Sequence, residues 1–196
     1  MPVVHAIDPA FDFADVARVY SDGGVIGPNP SERGGTWAFC YVDHADNMIQ
    51  GWGGVVLPGE IGMGAVTNNL TELLALLLAI EPLPEGWSGG LFTDSLVTLR
   101  RFTEGCTAFS GIPDALKDRV RLARDRLGSH TITLLGGHPT KADLARGHRE
   151  DGYPVSRHNV FCDKRCNEVR AQWASANPGG EPRRSIVHAA NRGGRR

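Results

Sequence analysis

The sequence predicts an α/β domain built on a five-stranded mixed sheet, with its first three strands antiparallel and helices flanking it. Two observations carry that expectation. Three strand-like segments follow one another before residue 58 with only turn-rich connections between them. After them, a long Leu/Ala-rich helical run begins near residue 68, and helical segments separate the two later strands. Tight turns join antiparallel neighbours, whereas parallel neighbours need a crossover, so this order gives a meander followed by crossovers.

Taken along the chain, residues 1–17 read as an irregular lead-in. "ARVYSDGG" is a strand running into a turn, and "GPNPSERGG" is a Gly/Pro-rich loop. "TWAFCYVD" and "NMIQGWGGVVLP" are the second and third strands, with "HAD" as their tight connection. "NNLTELLALLLAIEPLP" is a helix apolar almost all round, which predicts burial, and Pro82 and Pro84 stop it. "GGLFTDS" is the fourth strand and "LVTLRRFTEG" a short helix. "GIPDALKDRVRLARDRLG" is amphipathic, with Leu116, Val120, Ala123 and Leu127 on one stripe. "TITLLGG" is the fifth strand, and residues 139–158 form a long loop. "NVFCDKRCNEVRAQW" is the last helix, its apolar stripe being Cys162, Cys166, Val169 and Trp173. The folded unit therefore spans 18–175, and 176–196 reads as a disordered tail. From Asn177 onward that tail carries five arginines and one acid, a composition that attracts phosphates without sequence preference.

Composition narrows the class. A hydrophobic fraction of 41% supports a real core, and a net charge of −1 excludes a wholly polycationic binding domain. No apolar run is long enough to span a bilayer, and the N-terminus lacks the basic start and apolar stretch of a secretory signal. The expected location is the cytoplasm. Cys40, Cys106, Cys162 and Cys166 are too few and scattered for a disulfide scaffold.

Four acids sit where α/β proteins gather polar chemistry, at strand ends and helix starts. Asp22 ends the first strand, Glu72 lies in the first turn of the buried helix, Asp94 ends the fourth strand, and Asp163 lies in the first turn of the last helix. Each has a structural explanation of its own. Asp22 with Gly23 is a turn signal, Asn69 and Glu72 have capping-box spacing, Asp94 caps the next helix, and Asp163 complements its helix dipole. Convergence would change the chemistry. Two like charges about 4 Å apart repel by roughly 4 kcal/mol at an effective dielectric near 20, so clustered acids must take up protons or cations. Oxygen-only ligands favour Mg²⁺ or Mn²⁺, and two such ions flanking a phosphodiester form a phosphoryl-transfer site.

"YSDGG", "TNNLTELLALLLAIE", "FTDS" and "GGHP", followed by "NVFCDKRCNEV", resemble ribonuclease H in order and context over roughly Arg18 to Trp173. The resemblance implies the ribonuclease H-like fold and Mg²⁺-dependent cleavage of the RNA strand of an RNA–DNA hybrid. Mn²⁺ would be the substitute, with two ions per site, no organic cofactor and no membrane partner. It implies Asp22, Glu72 and Asp94 as metal-holding acids, and Gly23, Asn68 and Asn69 as contacts to the hybrid backbone. His138 matches a loop histidine that helps product or proton departure. The fourth acid has two registers: Asn159 with Asp163 fits the family's Asn-to-Asp spacing, while "DKRCNEV" also places Asn167 at the acidic position. Asp163 is preferred because a carboxylate suits a metal.

Two departures stand out. "GCTAFSGIPDALKD" is short and lacks the basic, Trp-containing protrusion of many bacterial members, so substrate grip must come from elsewhere, the tail being one candidate. The loop 139–158 is longer than the family usually has, and is expected to fold over the active site and shape substrate choice. Three alternatives accompany the main reading. They are a nuclease of the same fold acting on DNA or structured nucleic acid, an inactive hybrid-binding module, and a zinc site from His148, His158, Cys162 and Cys166.

Overall fold

The computed structural model describes residues 7, 11–104, 111–178 and 187–190. The strands are β1 (Arg18–Val25), β2 (Gly35–Val42), β3 (Met48–Val56), β4 (Gly89–Thr93), β5 (His130–Leu134) and β6 (Val187–Ala190). The helices are α1 (Asn68–Ile80), α2 (Leu96–Glu104), α3 (Asp114–Arg126), α4 (Lys141–Arg146) and α5 (Arg157–Ala176). In the sheet order β5-β4-β1-β2-β3-β6, β1 pairs antiparallel with β2 and β2 with β3, while β4 runs parallel to both β1 and β5. The five-stranded mixed sheet read from the sequence is therefore present.

β2 explains why the domain has two helical layers. Its eight residues are all buried, and a strand sends alternate side chains to opposite faces. Trp37, Phe39 and Tyr41 join the cluster that contains α1 and the Leu116, Val120 and Ala123 stripe of α3. Ala38, Cys40 and Val42 join the cluster that contains Cys162 and Cys166 of α5. Helix α1 is buried from Leu70 to Ile80 because it lies between the sheet and the outer helices α2 and α3. Its all-round apolar sequence thus matches its surroundings.

Two parts of the fold differ from what the sequence predicts, and the irregular lead-in is packed. Residues 11–17 lack helix or strand but are packed: Phe11 and Phe13 meet Tyr41 at 5.8 Å between ring centroids, and Trp87 Nε1 donates to Val16 O at 2.8 Å. The 139–158 segment holds α4, begun by a Thr140–Asp143 capping box and ended by Gly147 at φ 80°. Within the stretch read as a disordered tail, Val187–Ala190 pair antiparallel with β3 and extend the sheet to six strands. The remainder of the arginine-bearing tail, the shortened 105–110 segment and Cys106 lie outside the described residues.

Candidate functional site

The site lies where β1 outruns its parallel neighbour. β1 pairs with β4 only from Arg18 to Tyr20, but continues to Val25 alongside β2. β4 stops at Thr93, so Asp94 sits one residue past it, beside the open flank of β1. In an open α/β sheet the crevice beyond the strand ends is the natural place for a ligand. Asp22 is inside β1, opposite Ala38, and does not end it. The Asp22–Gly23 turn is therefore replaced by strand, because the β2 pairing continues through Gly23 and Gly24.

Helix α1 brings the third acid. Its cap is Thr67, whose side chain accepts from Leu70 N at 3.3 Å, so Asn69 and Glu72 do not form the capping box their spacing suggested. Glu72 is the fifth residue of α1, just past its first turn. It reaches β1 because Gly23 has no side chain. A Cβ at Gly23 would run into the backbone of Thr71 and Glu72. Ser95 caps α2, its Oγ accepting from Thr98 N at 3.2 Å, which leaves the Asp94 carboxylate free of capping duty.

Asp22, Glu72 and Asp94 each offer a carboxylate oxygen, and those atoms lie within 4.8 Å of one another. Asp22 and Glu72 are buried. Gly23 N donates to Asp22 Oδ1 at 2.8 Å, and Asn68 Nδ2 to Glu72 Oε1 at 3.3 Å. Glu72 Oε2 is buried with no hydrogen-bond partner. An oxygen-only donor set with an orphaned buried oxygen fits a hard divalent cation.

The electrostatics agree. Burial, then the Asp94 charge, raises Asp22 to about 7 against the opposing Gly23 N–H. Burial raises Glu72 well above the usual carboxylate range, with Asp22 and Asp94 adding to it. Asp94 is also raised by burial, and the Asn159 hydrogen bond pulls it back. Burial disfavours the charged form and like charges compound it. Three neighbouring acids pushed upward in this way are held ready for a proton or a cation.

Helix α5 presents a polar stripe to the cluster. Asn159, Asp163 and Asn167 recur every four residues, which places them on one helical face. Asn159 is buried and its Nδ2 donates to Asp94 Oδ2 at 3.1 Å. The Asp163 charge bears on both Asp22 and Asp94. Asp163 is the seventh residue of α5, in its second turn, because the helix begins earlier than "NVF" suggested. Asn167 Nδ2 donates to Asp163 Oδ1 at 3.3 Å, so the two candidates for the fourth position touch each other.

Asn159 entered the sequence reading only as a spacing marker for the fourth acid. Its task as the donor to Asp94 spans 65 residues of chain and had no local signal. Asn159→Leu is expected to weaken divalent-cation binding about 10–100-fold, the range typical of partners that orient metal ligands. Titration calorimetry with Mg²⁺ on both proteins checks it, and equal affinities would remove Asn159 from the site.

His138 is exposed, follows β5 and has φ 48°; its charge acts on Asp94. Asn69 is exposed at the start of α1, its carbonyl accepting from Arg101 Nη1 at 3.0 Å. The residues of the zinc alternative do not converge. The Cys162 and Cys166 thiols donate to Tyr20 O and Asp22 O at 3.5 Å, and His158 Nε2 lies 3.3 Å from Asp46. Among the described residues the group of acids, histidines or cysteines close enough to hold a metal is Asp22, Glu72 and Asp94. No helix among the described residues is long and apolar enough to cross a membrane.

No family model matches the chain. Among curated proteins, a ribonuclease H of Methylobacillus flagellatus is 26% identical over 136 residues, covering 69% of this chain and 82% of that protein. A ribonuclease H of Citrobacter koseri is 25% identical over 161 residues, covering 82% and 90%. Among solved structures, the ribonuclease H1 of the halophilic archaeon Halobacterium salinarum superposes with a TM-score of 0.54 at 20% identity, over 79% of this chain and 97% of that one. The N-terminal ribonuclease H domain of a Mycobacterium tuberculosis protein gives 0.53 at 14% identity, over 82% and 98%. The structural likenesses speak for the fold, and the curated relatives extend it to sequence. The chain is thus similar to ribonucleases H in sequence and shares their fold, and three of its acids meet where β1 outruns β4.

Proposed function

We propose that this protein is a metal-dependent endonuclease that hydrolyses the RNA strand of RNA–DNA hybrids. The observation that carries the reading is the meeting of Asp22, Glu72 and Asp94 from three separate elements, with one buried carboxylate oxygen left without a partner. Those three acids, joined by Asp163 on α5, are the residues that would hold two divalent ions, Mg²⁺ or Mn²⁺ in its place. Bound there, the pair supplies an activated water and stabilisation of the leaving oxygen. Around them, Asn159 orients the Asp94 carboxylate. Asn68 orients Glu72 through its Oε1, and together with Asn69 and Gly23 it stands at the α1 entrance where the hybrid backbone would pass. Side-chain amides there are suited to 2′-hydroxyls and base edges in a wide minor groove. An exposed imidazole at the rim, His138, is suited to hand a proton to the departing oxygen.

The test compares end-labelled RNA–DNA hybrid, single-stranded RNA, double-stranded RNA and double-stranded DNA with Mg²⁺, beside an Asp94→Asn control. Internal cuts confined to the hybrid's RNA and lost in the control are expected. Cutting of DNA would replace the hybrid reading. Tight hybrid binding without cleavage in Mg²⁺ or Mn²⁺ would make the domain a binding module.

A further inference from the structure

The segment between β5 and α5 has a definite structure. After α4 the chain doubles back: Arg149 N donates to Tyr153 O at 2.9 Å, Gly152 N to Arg149 O at 3.0 Å, and Val155 N to Gly147 O at 3.1 Å. The closed loop then returns to the exit of β5. Gly136 N donates to Pro154 O at 2.8 Å, and Arg149 Nη1 donates to Gly137 O at 2.9 Å. Arg149 is held in turn by Asp151, 3.1 Å away.

Of the two glycines at the β5 exit, Gly137 also faces the acid cluster. A Cβ at Gly137 would lie 2.9 Å from Asp94 Oδ2. A Cβ at Gly136 would run into the Arg149 side chain. Gly136 thus lies against the Arg149 stem and Gly137 against the Asp94 carboxylate, so this short stretch links the loop to the acid cluster. The next residue, His138, holds a left-handed backbone at φ 48°. A non-glycine residue keeps such a conformation only where its surroundings determine it.

We propose that Arg149 is a positioning residue: anchored by Asp151, it holds the Gly137 carbonyl and so fixes the backbone that carries His138 at the rim of the acid cluster. The long loop then serves turnover through His138 rather than substrate choice. This rests on the reading of His138 as a participant in the reaction. A guanidinium suits the task because its planar fork serves a carboxylate and a carbonyl at once.

The experiment is a double-mutant cycle on hybrid cleavage with the full chain, using Arg149→Met, His138→Ala and both together. Methionine keeps the packing of the stem on Gly136 and removes the donors. Arg149→Met is expected to lower kcat by about tenfold with KM within about twofold, the scale of partners that orient a site group. In the His138→Ala background the same change is expected to lower kcat by less than about twofold, since groups acting through one another are not additive. Arg149→Lys, which keeps a donor to the carbonyl, is expected to recover part of the loss. Equal losses with and without His138, a loss confined to KM, or an unchanged kcat in Arg149→Met would overturn the brace alone. A silent His138→Ala would overturn both the brace and the role of His138, leaving the acid-cluster reading to the Asp94→Asn control.

Discussion

Asp22→Asn is expected to abolish hybrid cleavage and, at the same time, to make the metal-free protein more stable at neutral pH. The two effects have one cause. Burial, and then the facing Asp94 charge, push the Asp22 carboxyl up from its ordinary 3.8 to about 7 in the fold. Between those values the folded chain holds a proton that the unfolded chain has released. Stability from this group is therefore fully present below pH 3.8 and is lost as pH rises through about 7. One pKa unit corresponds to about 1.4 kcal/mol, so the neutral side chain should restore on the order of 2–4 kcal/mol at pH 8. In a chain of this size that raises Tm by roughly 4–16 °C. At pH 4 the variant should gain much less, since Asp22 is then largely protonated in the fold. Mg²⁺ should raise Tm for the parent at pH 8 and do so far less for the variant, because a ligand stabilises only the state that binds it. Calorimetric scans at both pH values, with and without Mg²⁺, check all of this. An equal Tm change at both pH values, or a fall at pH 8, would contradict the electrostatic account.

Gly23→Ala is expected to destabilise the domain and to displace one of its three clustered acids. The added carbon would sit inside the backbone of Thr71 and Glu72. Neither a rotamer change nor a flexible tip can relieve that overlap, so α1 must move away from β1. Overpacking a core typically costs about 1–3 kcal/mol, and contact with backbone puts this site at the upper end. A Tm fall of roughly 6–12 °C follows if about 3 kcal/mol is lost. The movement also carries Glu72 away from Asp22 and Asp94, so the Mg²⁺ requirement for cleavage should rise even where the protein remains folded. Denaturation scans and Mg²⁺ titration of cleavage check the two halves. An unchanged Tm with an unchanged Mg²⁺ requirement would show that β1 and α1 have room to spare.

The glycine and the acid beside it illustrate what a local pattern conveys. "YSDGG" reads as a turn because Asp-Gly is a turn dipeptide, yet the β2 pairing runs straight through it. The glycine is there for the neighbouring helix, a requirement set by a residue about 50 positions away. "NNLTE" reads as a capping box from Asn69, yet Thr67 caps the helix. The displaced cap leaves Asn68 able to reach Glu72. In both cases a propensity was outcompeted by pairing or packing with a distant element.

Periodicity and punctuation along the chain were enough to determine the order of β1 to β5 with α1, α2, α3 and α5, the buried character of α1, the inward stripes of α3 and α5, and the four acids worth watching. They succeed because hydrophobic spacing reports directly on which face of an element leaves water. Tertiary structure decided what each face meets. It packed Phe11 and Phe13 of the lead-in onto Tyr41, turned part of a long loop into α4, and added Val187–Ala190 to the edge of β3. It also brought Asn159 to Asp94 and Arg149 to the Gly137 carbonyl. A hydrogen bond between residues 65 positions apart leaves no trace in local spacing. Such a contact is set by the crossing of two elements whose own sequences say only that each has an apolar side.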